Sequence, residues 1–321
     1  MSIKIEIPAG YGHSDEELSF IREMGVNYLN LNVMPPHVNY DDMMAEAQRL
    51  AKYDLYISDF ACPPLQKNAD IILGTSARDD EIDKFISFVK LAHAIGAPLV
   101  SVAWQPNGIF RTGCCAGKHT RGGASFFVNM DEINARPISN GRVYTEDEIW
   151  GNFEYFLERV IPVCEENNVR MALHPNDPPV PSLGGVPSLI YNTDCYKRAL
   201  SLAKGSTALT VKMCVGCWLE NAQFGDLMQD IGDFNKSGQL SEVHFRNVSA
   251  PLPNFEETLC EDGYADMYAI LKRFVNSGFD GYMSIDHAFH GYKSTGGRLA
   301  SLAYPTGYLK GMLHAAEKEI K

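Results

Sequence analysis

Eight short runs rich in β-branched and aromatic residues recur along the whole chain, separated by amphipathic segments. The runs are IKIEIP from Ile3, NYLNLNV from Asn27, DLYISDF from Asp54, PLVSVAW from Pro98, VRMALH from Val169, ALTVKM from Ala208, SEVHFRN from Ser241 and GYMSID from Gly281. Each has the length and residue types of a strand. The intervening segments carry helix signals. In SDEELSFIREMG, Ser14 caps, the acids favour the first turn and Gly25 stops the helix. The stretches from Thr145 (TEDEIWGNFEYFLERVIPVCEENNV) and from Asp266 (DMYAILKRFVNSG) read the same way. Eight alternations of helix with one continuous set of apolar strands predict a closed parallel (β/α)8 barrel. An open doubly wound sheet would usually place a glycine-rich phosphate turn after the first strand. PAGYGHS has two glycines but no dinucleotide fingerprint.

A chain of 321 residues with 45% apolar content suffices for one such barrel, and with no internal repeat or low-complexity linker it reads as a single domain over 1–321. The longest irregular stretch, Gln105 to Gly141, is too long for a passive connection and is expected to be an inserted lid or binding loop. The net charge of -12 disfavours nucleic acid and anionic membranes as partners, leaving a small molecule as the expected ligand. The first residues enter a strand pattern without a signal-peptide layout, and no apolar run approaches the length of a membrane span, so a cytoplasmic location is expected. The eight cysteines are scattered and read as mostly reduced.

In a parallel barrel the C-terminal strand ends ring one mouth. The fifth run ends in His174, the sixth is followed by Cys214, the seventh carries His244 and the eighth ends in Asp286. Two imidazoles, a thiolate and a carboxylate thus converge, a donor set that suits a borderline divalent ion such as Zn2+, Fe2+, Co2+ or Mn2+. The alternative for Cys214 is pairing with Cys217 as a redox or zinc C-x-x-C, but a zinc ribbon needs a second such pair and the chain has none. After His174 the run PNDPPVP fixes the path of the chain away from the mouth, with Asn176 and Asp177 supplying hydrogen bonds.

The stretches LHPNDPP, KMCVGCW, VHFRNV, FEETLCEDGYADMYA and SIDH resemble the mannonate dehydratase family, metal-dependent enzymes on a xylose-isomerase-like TIM barrel. The resemblance extends upstream to about Ile72. It implies a metal, Mn2+ foremost, held by His174, Cys214, His244 and Asp286. It also implies dehydration of a sugar acid, D-mannonate, to a 2-keto-3-deoxy acid by proton removal beside the carboxylate and loss of the 3-hydroxyl. By the same resemblance His287 is the candidate base or acid, Tyr292 and Tyr304 are candidates for a second one, and the protein is expected to dimerise. Arg111, Arg121 and Arg246 are assigned to the substrate because a guanidinium grips a carboxylate in a bidentate fork, with pairing to a neighbouring acid as the alternative for Arg246. Asp177 and Asn247 join them on the substrate side. The chain departs from the family pattern at Asn176, Cys260 and Tyr264. A sugar isomerase or epimerase on the same barrel, and a non-catalytic ligand-binding relative, are the competing readings.

Overall fold

The computed structural model describes residues 2–287 and 297–320. Eight parallel strands close into a barrel: β1 (Lys4–Gly10), β2 (Tyr28–Asn32), β3 (Tyr56–Ala61), β4 (Leu99–Ala103), β5 (Arg170–His174), β6 (Leu209–Cys214), β7 (Leu240–His244) and β8 (Tyr282–Ser284). Each lies within one of the eight runs or begins or ends beside it. Closure is made by β1, which pairs with β2 on one side and β8 on the other. The helices ring the outside where their caps place them. Asp15–Glu23 and Glu146–Glu166 each start in a capping box, built on Ser14 with Glu17 and on Thr145 with Glu148, and Met267–Asn276 starts from Asp266. Each box satisfies orphan amides at the first turn from both directions.

Between barrel and helices lies an aromatic layer. Phe60 on β3 stacks on Phe88 with ring centroids 4.4 Å apart, and Phe85 meets Phe156 edge to face at 5.1 Å. All four rings are fully buried. Offset and edge contacts of this kind add to the area they remove from water. Among the described residues no helix is long and apolar enough to cross a membrane, and all eight cysteines are free thiols.

The inside of the barrel departs from the expected apolar strands. Glu6, Asn30, Asp59, Ser101, Lys212 and Glu242 come from six strands and are all buried. The Lys212 ammonium donates to Asp59 Oδ2 and Ser101 Oγ, both at 2.9 Å, and pairs with Glu242 Oε1 at 2.7 Å. Burial opposes its charge, but the two carboxylates outweigh burial and hold its pKa above the usual lysine range. Burial and the neighbouring Glu242 push the Glu6 carboxyl well above its ordinary value. A fully apolar reading missed this layer because one charged residue per strand vanishes in a hydrophobic average.

The stretch from Gln105 to Gly141 is also more ordered than expected. Strands Gly113–Ala116 and Ala124–Asn129 form a hairpin, and the second pairs antiparallel with Asn254–Thr258 from the connection after β7. With Asn247–Val248 they make a four-stranded sheet. Phe126 from this sheet meets the His287 ring edge-on at 5.8 Å, so the sheet reaches the C-terminal mouth.

A candidate metal centre at the barrel mouth

Side chains alternate between the two faces of a strand, so the residue two places beyond an inward one also points inward. Lys212 and Glu242 are register partners, and Cys214 and His244 are partners one step of two further on. The polar layer therefore lies directly beneath the mouth, with Cys214 and His244 above it. His174 ends β5, and Asp286 follows β8 by two residues.

These four side chains are brought together. One donor atom each from His174, Cys214 and His244 lies within 4.8 Å of the others. Asp286 Oδ1 is 2.9 Å from His244 Nδ1, and Asp286 Oδ2 is 3.5 Å from Cys214 Sγ. His174 Nδ1 is 2.7 Å from the Pro175 carbonyl, a contact that needs the proton on that nitrogen and leaves Nε2 as the electron-pair donor. His244 Nδ1 is buried and makes no hydrogen bond among the described residues, despite the nearby Asp286 oxygen. Donor atoms packed this closely fit a cation, and the N, S and O set fits a borderline divalent one. The electrostatics of the two titrating donors differ. Burial disfavours the His244 imidazolium, yet the Asp286 carboxylate pushes its pKa up to about 10, so a metal would have to displace that proton. Burial raises the Cys214 thiol pKa, but hydrogen bonding with Cys217 and the Arg246 charge bring it well below the ordinary value, which favours the thiolate a metal needs.

Behind these four side chains lies a buried ion network. Arg246 donates from Nε to Asp286 Oδ2 at 2.8 Å and from Nη1 to Glu220 Oε1 at 2.6 Å, with Glu257 Oε1 and Asp177 Oδ2 each at 3.3 Å. Arg111 forks onto both oxygens of Asp177 at 2.5 and 2.8 Å and donates to Glu257 Oε1 at 2.7 Å. Gly216 makes room for this: a Cβ there would stand 2.6 Å from the Arg246 guanidinium carbon. Burial and the neighbouring Asp177 push Glu220 well above its ordinary pKa, while Arg246 and Arg111 act against that rise. Burial works against Glu257 as well, but His287 and both arginines hold it down at about 2.

Most of the side chains assigned to the substrate have partners within the protein. Arg111 and Arg246 are buried counter-ions whose forks are taken by carboxylates, and Asp177 is one of those carboxylates. Asn247 is fully buried in loop scaffolding, donating to the Cys260 and Ala265 carbonyls and accepting from the Val248 amide. Arg121 is exposed, donating to Glu261 Oε1 at 2.6 Å and to the Tyr304 hydroxyl at 3.0 Å. Tyr304 in turn donates to Glu261 at 2.5 Å, so its phenol is occupied on the rim. Tyr292 lies outside the described residues.

His287 stands beside Asp286. Its Nδ1 is 2.7 Å from Glu257 Oε2, and its Nε2 is 3.5 Å from Asp286 Oδ1. Glu257 was missed in the sequence, although in the strand Asn254–Thr258 the neighbouring acids Glu256 and Glu257 fall on opposite faces.

The fold and site together define a xylose-isomerase-like (β/α)8 barrel with a metal-competent mouth. Solved barrels share the architecture, among them a xylose isomerase domain protein from Planctomyces limnophilus (TM-score 0.65, 9% identity, covering 100% of this chain and 99% of that one). The mannonate dehydratase from Streptococcus suis superposes with a TM-score of 0.86 at 22% identity, covering 100% of this chain and 96% of that one. The family model for D-mannonate dehydratase (UxuA) matches residues 128–321, and the chain belongs to that family. Mannonate dehydratases from Lactococcus lactis and Shouchella clausii are 32% and 27% identical, over 54% and 78% of this chain and 50% and 77% of their own lengths. The one from Thermotoga petrophila is 34% identical over 54% of this chain and 49% of its own length. The chain thus spans about half the length of two of these curated relatives.

Proposed function

We propose that this protein is a metal-dependent dehydratase of hexonates, with D-mannonate as the first substrate to try and a 2-keto-3-deoxy acid as the product. The observation that carries the reading is the convergence of His174, Cys214, His244 and Asp286 with a histidine, His287, adjoining them. A divalent ion, Mn2+ foremost, would be held by those four side chains and would supply positive charge where negative charge develops during the reaction.

The chain's own residues supply the proton chemistry. Glu257 accepts from His287 Nδ1, which fixes the tautomer and leaves Nε2 free to take the C2 proton. The same nitrogen, once protonated, returns that proton to the departing 3-hydroxyl, so water leaves and the balance closes within the site. Tautomerisation of the resulting enol gives the 2-keto-3-deoxy acid. Arg246 holds Asp286 in place from behind, and the sheet carrying Phe126 and Glu257 packs against His287.

An epimerase would want acidic groups free to exchange protons on both faces of the substrate, and Glu220 and Glu257 are both engaged by arginine. The free thiols fit a reducing compartment such as the cytoplasm. The test is an assay of Mn2+-loaded protein against D-mannonate and a panel of other hexonates and pentonates, following 2-keto-3-deoxy acid. Turnover of a member supports the reading. Metal binding without dehydration of any acid overturns it.

A further inference from the structure

The layer beneath the four metal-competent side chains is charged, and stability alone does not explain it. A buried ion pair seldom stabilises a fold more than apolar side chains of the same volume would. Yet Lys212 and Glu242, paired at 2.7 Å and both buried, span β6 and β7 at the step directly below Cys214 and His244. The sequence carries this pairing as K-x-C on β6 and E-x-H on β7. Glu242 and His244 are two residues apart on one strand, so they share its inner face and one lies beneath the other.

The Glu242 carboxylate is fixed by neighbouring strands. Its Oε1 receives Lys212 from β6 and the Asn30 side-chain amide from β2 at 3.1 Å. Asn30 and Lys212 also donate to Asp59 Oδ2 on β3, each at 2.9 Å, which ties both of them down. The same Glu242 oxygen faces the His244 ring, 3.6 Å from Nε2. That is roughly half an ångström beyond an ordinary hydrogen bond. The other ring nitrogen faces Asp286, with Nδ1 2.9 Å from Oδ1. Asp286 Oδ2 is taken by Arg246 Nε at 2.8 Å, which leaves Oδ1 as the oxygen turned to His244. Two ligand atoms about 2.1 Å from one ion stand about 3.0 Å apart at a right angle and about 3.4 Å apart at the tetrahedral angle. The separation of Nδ1 and Oδ1 fits the first of these.

We propose that Glu242 is a positioning residue of the metal centre: it accepts the Nε2 proton of His244 and so turns Nδ1 toward the ion. This is the reverse of His174, whose Nδ1 contact with the Pro175 carbonyl leaves Nε2 as the donor. The inference rests on the reading that His174, Cys214, His244 and Asp286 hold a divalent ion. A ligating imidazole normally gives its second N–H to a carboxylate or carbonyl, and that partner fixes the ring and raises its basicity. The charged layer then has a function, since Lys212 and Asn30 keep Glu242 from turning away from the ring above it.

The test uses protein with isotope-labelled histidine loaded with Zn2+, which is diamagnetic, and heteronuclear NMR that reads which nitrogen of each ring is bound and which carries the proton. The two metal-bound rings are assigned by loss of their signals in His174→Ala and His244→Ala. The expected result is Nε2 ligation for His174 and Nδ1 ligation for His244. Mn2+ affinity, read by electron paramagnetic resonance, is then compared in Glu242→Gln and Asp59→Asn. Both disturb the Lys212 network, but among the described residues only Glu242 of these two pairs with His244. Glu242→Gln weakens Mn2+ roughly 10- to 100-fold, the scale of losing the partner of a ligating histidine, while Asp59→Asn keeps the wild-type affinity. Ligation of His244 through Nε2 overturns the assignment, and the NMR experiment decides this even where neither acid variant folds. Equal loss in both variants, or none in Glu242→Gln, also overturns it. Wild type that binds the ion in the expected tautomers yet dehydrates no acid keeps Glu242 and removes the dehydratase. Wild type that binds neither ion overturns the metal centre and this inference together.

Discussion

His287 Nδ1 meets Glu257 Oε2 at 2.7 Å, joining the end of β8 to a strand of the sheet over the mouth. The pair makes the orientation of the candidate base depend on an element 30 residues away in the chain. Glu257→Gln keeps the size of the side chain and removes the charge that stabilises a protonated His287. We expect kcat to fall roughly 10- to 100-fold, the scale of losing a residue that orients a general base, with bound Mn2+ unchanged by elemental analysis. An unchanged kcat would show that the dyad has no part in turnover.

How much of this was legible in the sequence follows from the reach of each signal. The strands and their capped helices are local patterns, so all eight strands and the boxes at Ser14 and Thr145 could be read directly. The convergence of His174, Cys214, His244 and Asp286 was legible because a barrel sends every C-terminal strand end to one place. The partners of the arginines were not. Whether Arg246 faces a substrate or Glu220 depends on side chains 26 residues apart that meet only after closure. Asn247 likewise looks like any polar strand-end residue until Gly263 is seen packed against it, where a Cβ would lie 2.2 Å from its side chain.

His174→Ala removes one of the four metal-competent side chains without touching the barrel ladder, since the β5 hydrogen bonds are backbone ones. Mn2+ affinity should fall roughly 100-fold or more, with far-UV circular dichroism unchanged and no turnover. Equilibrium dialysis against Mn2+ checks the first expectation, and retention of wild-type affinity would exclude His174 as a ligand.

Arg246→Met leaves Asp177, Glu220, Glu257 and Asp286 short of a shared counter-ion in a buried setting. Removing one partner of a buried ion network typically costs about 3–5 kcal/mol, and the side chain is only 3% exposed. Urea denaturation of the metal-free protein should show a loss of that size. Because Asp286 also loses its anchor, Mn2+ affinity should fall in the same variant. A stability change within about 0.5 kcal/mol, the range of ordinary surface substitutions, would mean that water replaces the guanidinium.

Acid should weaken the metal-free protein through Glu257. Its carboxyl is held at about 2 in the folded chain against an ordinary 4.5, so the native state favours the charged form. That contribution is fully present above pH 4.5 and disappears as the pH falls through about 2. A shift of this size corresponds to about 3 kcal/mol, shared with the arginines that cause it. The signature is differential: between pH 4.5 and 2 the wild type should lose stability more steeply than Glu257→Gln, which has no carboxylate to protonate there. Urea midpoints collected across that window measure both slopes. Parallel curves would show that the Glu257 charge is not what ties the sheet over the mouth to His287 and the two arginines.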